Sequence, residues 1–244
     1  MNIKDIKALT MVLACSLLMI GCNKDEEPSM NYSDVYHYIS KNDEGTLQYQ
    51  LYARTFVYDG DVERVTLSNV LGTEYSMNDE QYPGVQYEVL LPAQTSSYIT
   101  GDYTIEVLLK DNTTMTNSES VDYNGIEPIE ILTCAYVDDK ITCDFVLDEN
   151  ANGYEFYIKN NQDKVLYSAV FIGDSSELEP NSENVVTLSI EEGKLATDYY
   201  LSVGEELKFQ INGIDYKQVN LNTGLVNCNA LATSQQTFIV GNVE

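Results

Sequence analysis

From residue 45 onward, apolar and polar side chains alternate with period two in short runs that stop at Gly, Asn or Asp. A strand sends successive side chains to opposite faces, so this alternation predicts antiparallel strands with one buried and one wet face. Leu47-Gln48-Tyr49-Gln50-Leu51-Tyr52-Ala53 is the clearest run; Val62–Leu67, Tyr87–Leu91, Tyr103–Leu109 and Thr116–Val121 read the same way. Ser33–Lys41, near the N-terminus, is the one stretch read as a short helix. At Tyr123-Asn124-Gly125-Ile126-Glu127-Pro128 the Gly and Pro break the pattern, and a fresh strand over Ile129–Tyr136 follows. The expected fold is therefore all-β, with two tandem antiparallel β-sandwich domains over 31–126 and 127–244, each close to the roughly 100 residues such folds use.

The first 30 residues follow another logic. Lys4 and Lys7 precede an apolar run of 13 residues, Ala8 to Ile20. That run is shorter than the roughly 20 residues of a bilayer span and reads as a secretory signal. It ends in Leu18-Met19-Ile20-Gly21-Cys22, which resembles the lipobox of bacterial lipoproteins. The resemblance implies that residues 1–21 are removed as a signal peptide and that the Cys22 thiol carries a lipid anchoring the chain to a membrane. At roughly 0.8 kcal/mol per buried methylene, two or three acyl chains hold a protein essentially irreversibly. Residues 22–30 form a short, acidic, disordered tether. Within it Lys24, Asp25 and Glu26 resemble the export signal of Bacteroidetes-type surface lipoproteins, which implies the extracellular side of the outer membrane.

Local motifs refine the sandwiches. Thr100-Gly101-Asp102-Tyr103-Thr104-Ile105-Glu106-Val107 resembles the tyrosine-corner approach to a late strand of immunoglobulin-like modules, which implies a Tyr103 hydroxyl tied to backbone. Lys140–Phe145, Gly153–Lys159 and Glu206–Asn212 resemble early, middle and late strands of a fibronectin type III domain, with Phe145 near the place of its core Trp. The chain has no Trp, and a polar insertion over Ser175–Asn184 also departs from that family.

Composition narrows the chemistry. With 39 Asp+Glu against 13 Lys+Arg, the formal charge of −26 repels phosphate backbones, so nucleic acid is not an expected partner. The only histidine, His37, is read as a surface or packing residue, which leaves no Ser-His-Asp or Cys-His arrangement. No catalysis is expected. Carboxylate pairs are unavoidable among so many acids and carry no information. Cys134, Cys143 and Cys228 remain besides Cys22; Cys134 and Cys143 lie on successive strands, Cys228 is a third partner to consider, and buried free thiols are the alternative to any bridge. No cofactor is expected. Asp59-Gly60-Asp61 with Glu63, and Asp138-Asp139, offer hard oxygens of the kind calcium uses, but turns favour Asp and Gly anyway.

The 19 tyrosines are the remaining signal. A stiff ring with a hydroxyl suits contact surfaces, and Tyr75, Tyr82, Tyr87 and Tyr98 lie on or beside expected loops, making them candidate ligand-binding residues. The functional expectation is a non-catalytic, lipid-anchored surface protein that binds an extracellular ligand. A glycan-binding accessory of a polysaccharide uptake system and an adhesin or assembly component with protein partners are the alternatives.

Overall fold

A computed structural model describes residues 28–172, 178–196, 199–220 and 225–241. Residues 1–21, read as a signal peptide, together with Cys22 and the Lys24, Asp25 and Glu26 read as an export signal, lie outside the described residues. The described chain is all-β, with one short 3-10 turn at Glu192–Lys194 after the twelfth strand. No helix among the described residues is long and apolar enough to cross a membrane. Contacts divide the chain into two units, described here separately.

The first unit holds the described residues up to Asn124 together with Tyr216–Leu231. Its strands are β1 (Ser29–Lys41), β2 (Leu47–Tyr58), β3 (Val62–Asn69), β4 (Glu74–Tyr82), β5 (Gln86–Leu90), β6 (Gly101–Leu109) and β7 (Thr114–Val121). They hydrogen-bond in the order β1-β2-β5-β4-β3-β6-β7. The start of β4 pairs with β3, Met77 opposite Val65, while its end pairs with β5, Asn78 opposite Glu88. β4 therefore turns the corner between two layers. Val35, Leu51, Ala53 and Val57 close one side of the core, and Val65, Leu67, Ile105 and Val107 the other. The Tyr103 hydroxyl donates to the Ile99 carbonyl at 2.7 Å, the backbone tie its motif implied.

β1 corrects the helical reading of Ser33–Lys41. Val35, His37 and Ile39 are all fully buried, a period of two, and the strand pairs with β2 from Ser29 opposite Tyr58 to Lys41 opposite Leu47. Asp34 and His37 are buried polar residues, and their polarity hid the alternation from a hydropathy reading. Ser29 and Met30, assigned to the disordered tether, are the first residues of this strand.

The second unit holds Gly125–Asp215 and the described residues from Ala232 onward. Tyr216–Leu231 thus groups with the first unit, whereas the sequence reading had 127–244 uninterrupted. The strands wholly within the second unit are β8 (Ile131–Val137), β9 (Lys140–Val146), β10 (Gly153–Asn160), β11 (Val165–Ile172) and β12 (Val185–Glu191). β13 (Glu206–Asn220) and β14 (Leu225–Ile239) give it their Glu206–Asp215 and Ala232–Ile239 portions. A three-stranded sheet β12-β9-β8 faces the order β11-β10-β13-β14 across one core, a three-over-four sandwich. Phe145 is fully buried at its centre, 5.3 Å from the Phe156 ring, which stacks on Phe209 at 6.2 Å and 9°.

Candidate functional site

The alternation that buries Val35 and His37 on one side of β1 sends Tyr32, Asp34 and Tyr36 to the other. Register then sets three cross-strand rows on β1, β2 and β5: Tyr36–Tyr52–Leu90, Asp34–Arg54–Glu88 and Tyr32–Phe56–Gln86. Opposed residues on one face of a sheet interact directly. Tyr36 and Tyr52 lie 5.1 Å apart, Tyr32 and Phe56 5.8 Å, and the Arg54 guanidinium sits 5.2 Å over the Tyr32 ring.

Asp34 lies at the middle of this face with no side-chain exposure. Arg54 approaches its Oδ2 to 3.9 Å, the Tyr32 hydroxyl donates to it at 3.3 Å, and the Cys228 backbone N–H donates to Oδ1 at 3.3 Å. Burial raises the Asp34 carboxyl to about 6 and outweighs the opposing pull of Arg54, Lys217 and the Cys228 N–H. On the same face Tyr52 donates to Glu88, as does the Gln86 amide at 2.9 Å. Arg54 is thus held over a tyrosine and beside the Asp34 carboxylate, so its charge is compensated where it is buried.

Beside this cluster, the first unit carries an open groove of about 340 Å³. Tyr32 and Ser33 of β1 form one side, Thr116, Asn117 and Glu119 of β7 another, and Asn227 of β14 a third, with Met30 at one end. Asn227 donates to the Ser33 carbonyl at 3.0 Å, Asn117 donates to Glu119 at 3.2 Å, and the Ser33 and Thr55 hydroxyls lie 2.9 Å apart. Hydroxyl, carboxamide and carboxylate residues therefore converge on a shallow surface. Such a surface can exchange hydrogen bonds with a hydroxyl-rich molecule.

The four candidate tyrosines do not converge on this groove. Tyr87 is 8% exposed and belongs to the core. Tyr75 and Tyr98 pack against the same core, near Tyr103, and the Tyr98 hydroxyl donates to the Pro92 carbonyl at 2.5 Å. Tyr82, at the end of β4, is 40% exposed. Tyr32, which does line the groove, stands one residue before the segment read as helix.

His37 faces inward, fully buried, with its ring 5.5 Å from that of Tyr123 and no hydrogen-bond partner at either nitrogen. Burial lowers its pKa to about 4, with Lys217 acting in the same direction and Asp122 against it. It is a packing residue, neutral at pH 7. At the acidic turns, Asp59, Asp138 and Asp139 adopt positive φ, and Asp61 pairs with Lys110 at 2.8 Å. No group of three or more metal-ligating side chains occurs among the described residues.

No protein-family model and no curated protein matches the chain. Among solved structures, a biofilm-associated protein BSP domain aligns with 86% of this chain and 30% of its own length at 14% identity and a TM-score of 0.26. A tetra-tandem repeat from the extending region of a large adhesion protein gives 86%, 49%, 10% and 0.28. Dimeric latent PorU from Porphyromonas gingivalis gives 89%, 20%, 12% and 0.30. The chain spans less than half the length of each, and likenesses at this level carry no information about its role.

Proposed function

We propose that this chain is a non-catalytic surface protein, lipidated at Cys22 and displayed on the extracellular side of the outer membrane, that binds a neutral glycan in the β1–β7–β14 groove. The observation that carries the reading is the convergence of Thr116, Asn117, Glu119 and Asn227 on one open groove. Hydroxyl-rich ligands need donors and acceptors side by side, and a shallow groove accepts a chain without enclosing its ends. Net charge of −26 disfavours anionic ligands.

The test is binding of the purified chain to a panel of neutral polysaccharides, with and without calcium. Saturable, salt-insensitive binding that weakens about tenfold or more in an Asn117→Ala/Glu119→Ala variant, a loss of about 1.4 kcal/mol, is expected. Binding to no glycan, or binding indifferent to that variant, removes the reading. Anchoring is tested apart from it. Cys22→Ala should abolish lipid labelling and membrane retention, and Ala at Lys24, Asp25 and Glu26 should lower protease accessibility on intact cells.

A second reading, adhesion or assembly through protein partners, has one observation in its favour. β11, Val165–Ile172, ends its sheet order and carries no charged residue. An uncharged edge strand is a template for a partner's strand. Protein capture that Val170→Pro abolishes, with no glycan bound, would replace the first reading with this one.

A further inference from the structure

Cys134 on β8 and Cys143 on β9 are direct register partners. The register between these strands shifts between Ile131 and Thr133 and runs unbroken from Thr133 to Val137, so the pairing lies in regular ladder. Both side chains face the core of the second unit: Cys143 is fully buried beside Ile141 and Phe145, and Cys134 packs against the same cluster while keeping some exposure. Opposed residues in antiparallel strands have Cβ atoms about 4.5–5.5 Å apart, and a disulfide takes about 3.5–4.5 Å. β8 is the edge of its sheet and has one neighbour only in the order β12-β9-β8, so it can supply that adjustment. Cys228 belongs to the first unit, where its thiol lies 3.8 Å from Asp34.

We propose that Cys134 and Cys143 are a modification site that closes to a cross-strand disulfide when the folded chain meets a low-molecular-weight disulfide, with Cys134 entering first. The Cys134 thiolate attacks one sulfur of the external disulfide, forming a mixed disulfide and releasing one thiolate. Cys143 then loses its proton and attacks the Cys134 sulfur; the protein S–S bond forms, the mixed disulfide breaks and the second external thiolate leaves. Two protein thiols are oxidised and one external disulfide is reduced to two thiols. The order follows from access. Cys134 is the partly exposed thiol, whereas Cys143 is sealed in the core, where burial and the neighbouring Cys134 raise its thiol well above the ordinary range. The bridge would fasten the edge strand β8 to the centre of its sheet.

The full chain, folded and reduced, is incubated with oxidised glutathione, quenched in acid, unfolded, alkylated and digested with trypsin. Lys140 lies between the two cysteines, so the bridge is read as two linked peptides. The expected result is a Cys134–Cys143 link with Cys228 alkylated, about tenfold more abundant than in chain treated while unfolded, because the fold holds the thiols together. Alkylated Cys143 after folded oxidation, or a Cys143–Cys228 link, overturns the proposal. For the order of attack, brief incubations of the unaltered chain should trap glutathione on Cys134. In Cys134→Ser, Cys143 should remain alkylated with no adduct. Glutathione on Cys143 in either experiment overturns the order.

Discussion

The two units fill their interiors with different chemistry. The second closes on rings: Phe156 meets Phe145, Phe171 and Phe209 at centroid distances of 5.3, 5.4 and 6.2 Å. Its buried polar residues stay outside the ring cluster: Asn160 at a turn, where its side chain accepts the Gln162 and Lys164 N–H groups, and Asn212 and Asp215 on β13. The first buries polar groups mid-strand: Ser33, Asp34 and His37 on β1 and Thr55 on β2. Dispersion and apolar burial are non-directional and stabilise a core wherever shapes fit. Buried ions and hydroxyls stabilise only in the geometry that satisfies them. The ring core is therefore the sturdier design, and the polar strand the more exacting one, in the unit that carries the groove.

Phe156→Ala is the most damaging way to probe this contrast. It removes a fully buried ring at the centre of the phenylalanine cluster, and a loss of about 3–5 kcal/mol in urea unfolding is expected. A loss below about 1 kcal/mol would mean that the cluster is not close-packed. Next is Arg54→Met, which strands Asp34 without its cation and should cost about 3 kcal/mol. Adding Asp34→Asn to that variant should recover most of the loss. If it recovers nothing, Arg54 acts through packing over Tyr32 rather than through charge.

pH separates the two buried titrating groups of β1. Asp34 has a folded pKa of about 6, above the ordinary 3.8, so the folded chain holds a proton that the unfolded chain has lost. Its contribution is full below 3.8 and is lost as pH rises through 6. His37 has a folded pKa of about 4, below 6.5, so its contribution is full above 6.5 and is lost as pH falls toward 4. Each shift is worth about 3 kcal/mol, with opposite signs over nearly the same window. The unaltered chain should therefore show a flat profile from these two groups between pH 4 and 6. Asp34→Asn should lose stability as pH falls from 7 to 4.5, and His37→Phe should gain it. Parallel urea-midpoint profiles for all three proteins would contradict both assignments.

The smallest effect tests what the units share. Tyr103 donates to the Ile99 carbonyl in the first and Tyr154 to the Asp148 carbonyl, at 2.9 Å, in the second. Tyr→Phe at either site should cost about 1 kcal/mol. A clear inequality would show that one tie is replaced by solvent when it is cut.

What the sequence determined by itself is what local periodicity encodes. The strands at Leu47, Val62, Tyr103 and Lys140, the Tyr103 tie and the burial of Phe145 were legible because side-chain alternation and turn residues act within a few positions. β1 was not, since a buried Asp34 and His37 look solvent-facing until their strand neighbours are known. Nor was the groove, which draws Ser33, Thr116, Asn117, Glu119 and Asn227 from three strands far apart in the chain, nor the burial of Tyr87. Strand pairing is non-local: period two tells which residues share a face, and only the tertiary structure decides which strand lies beside it.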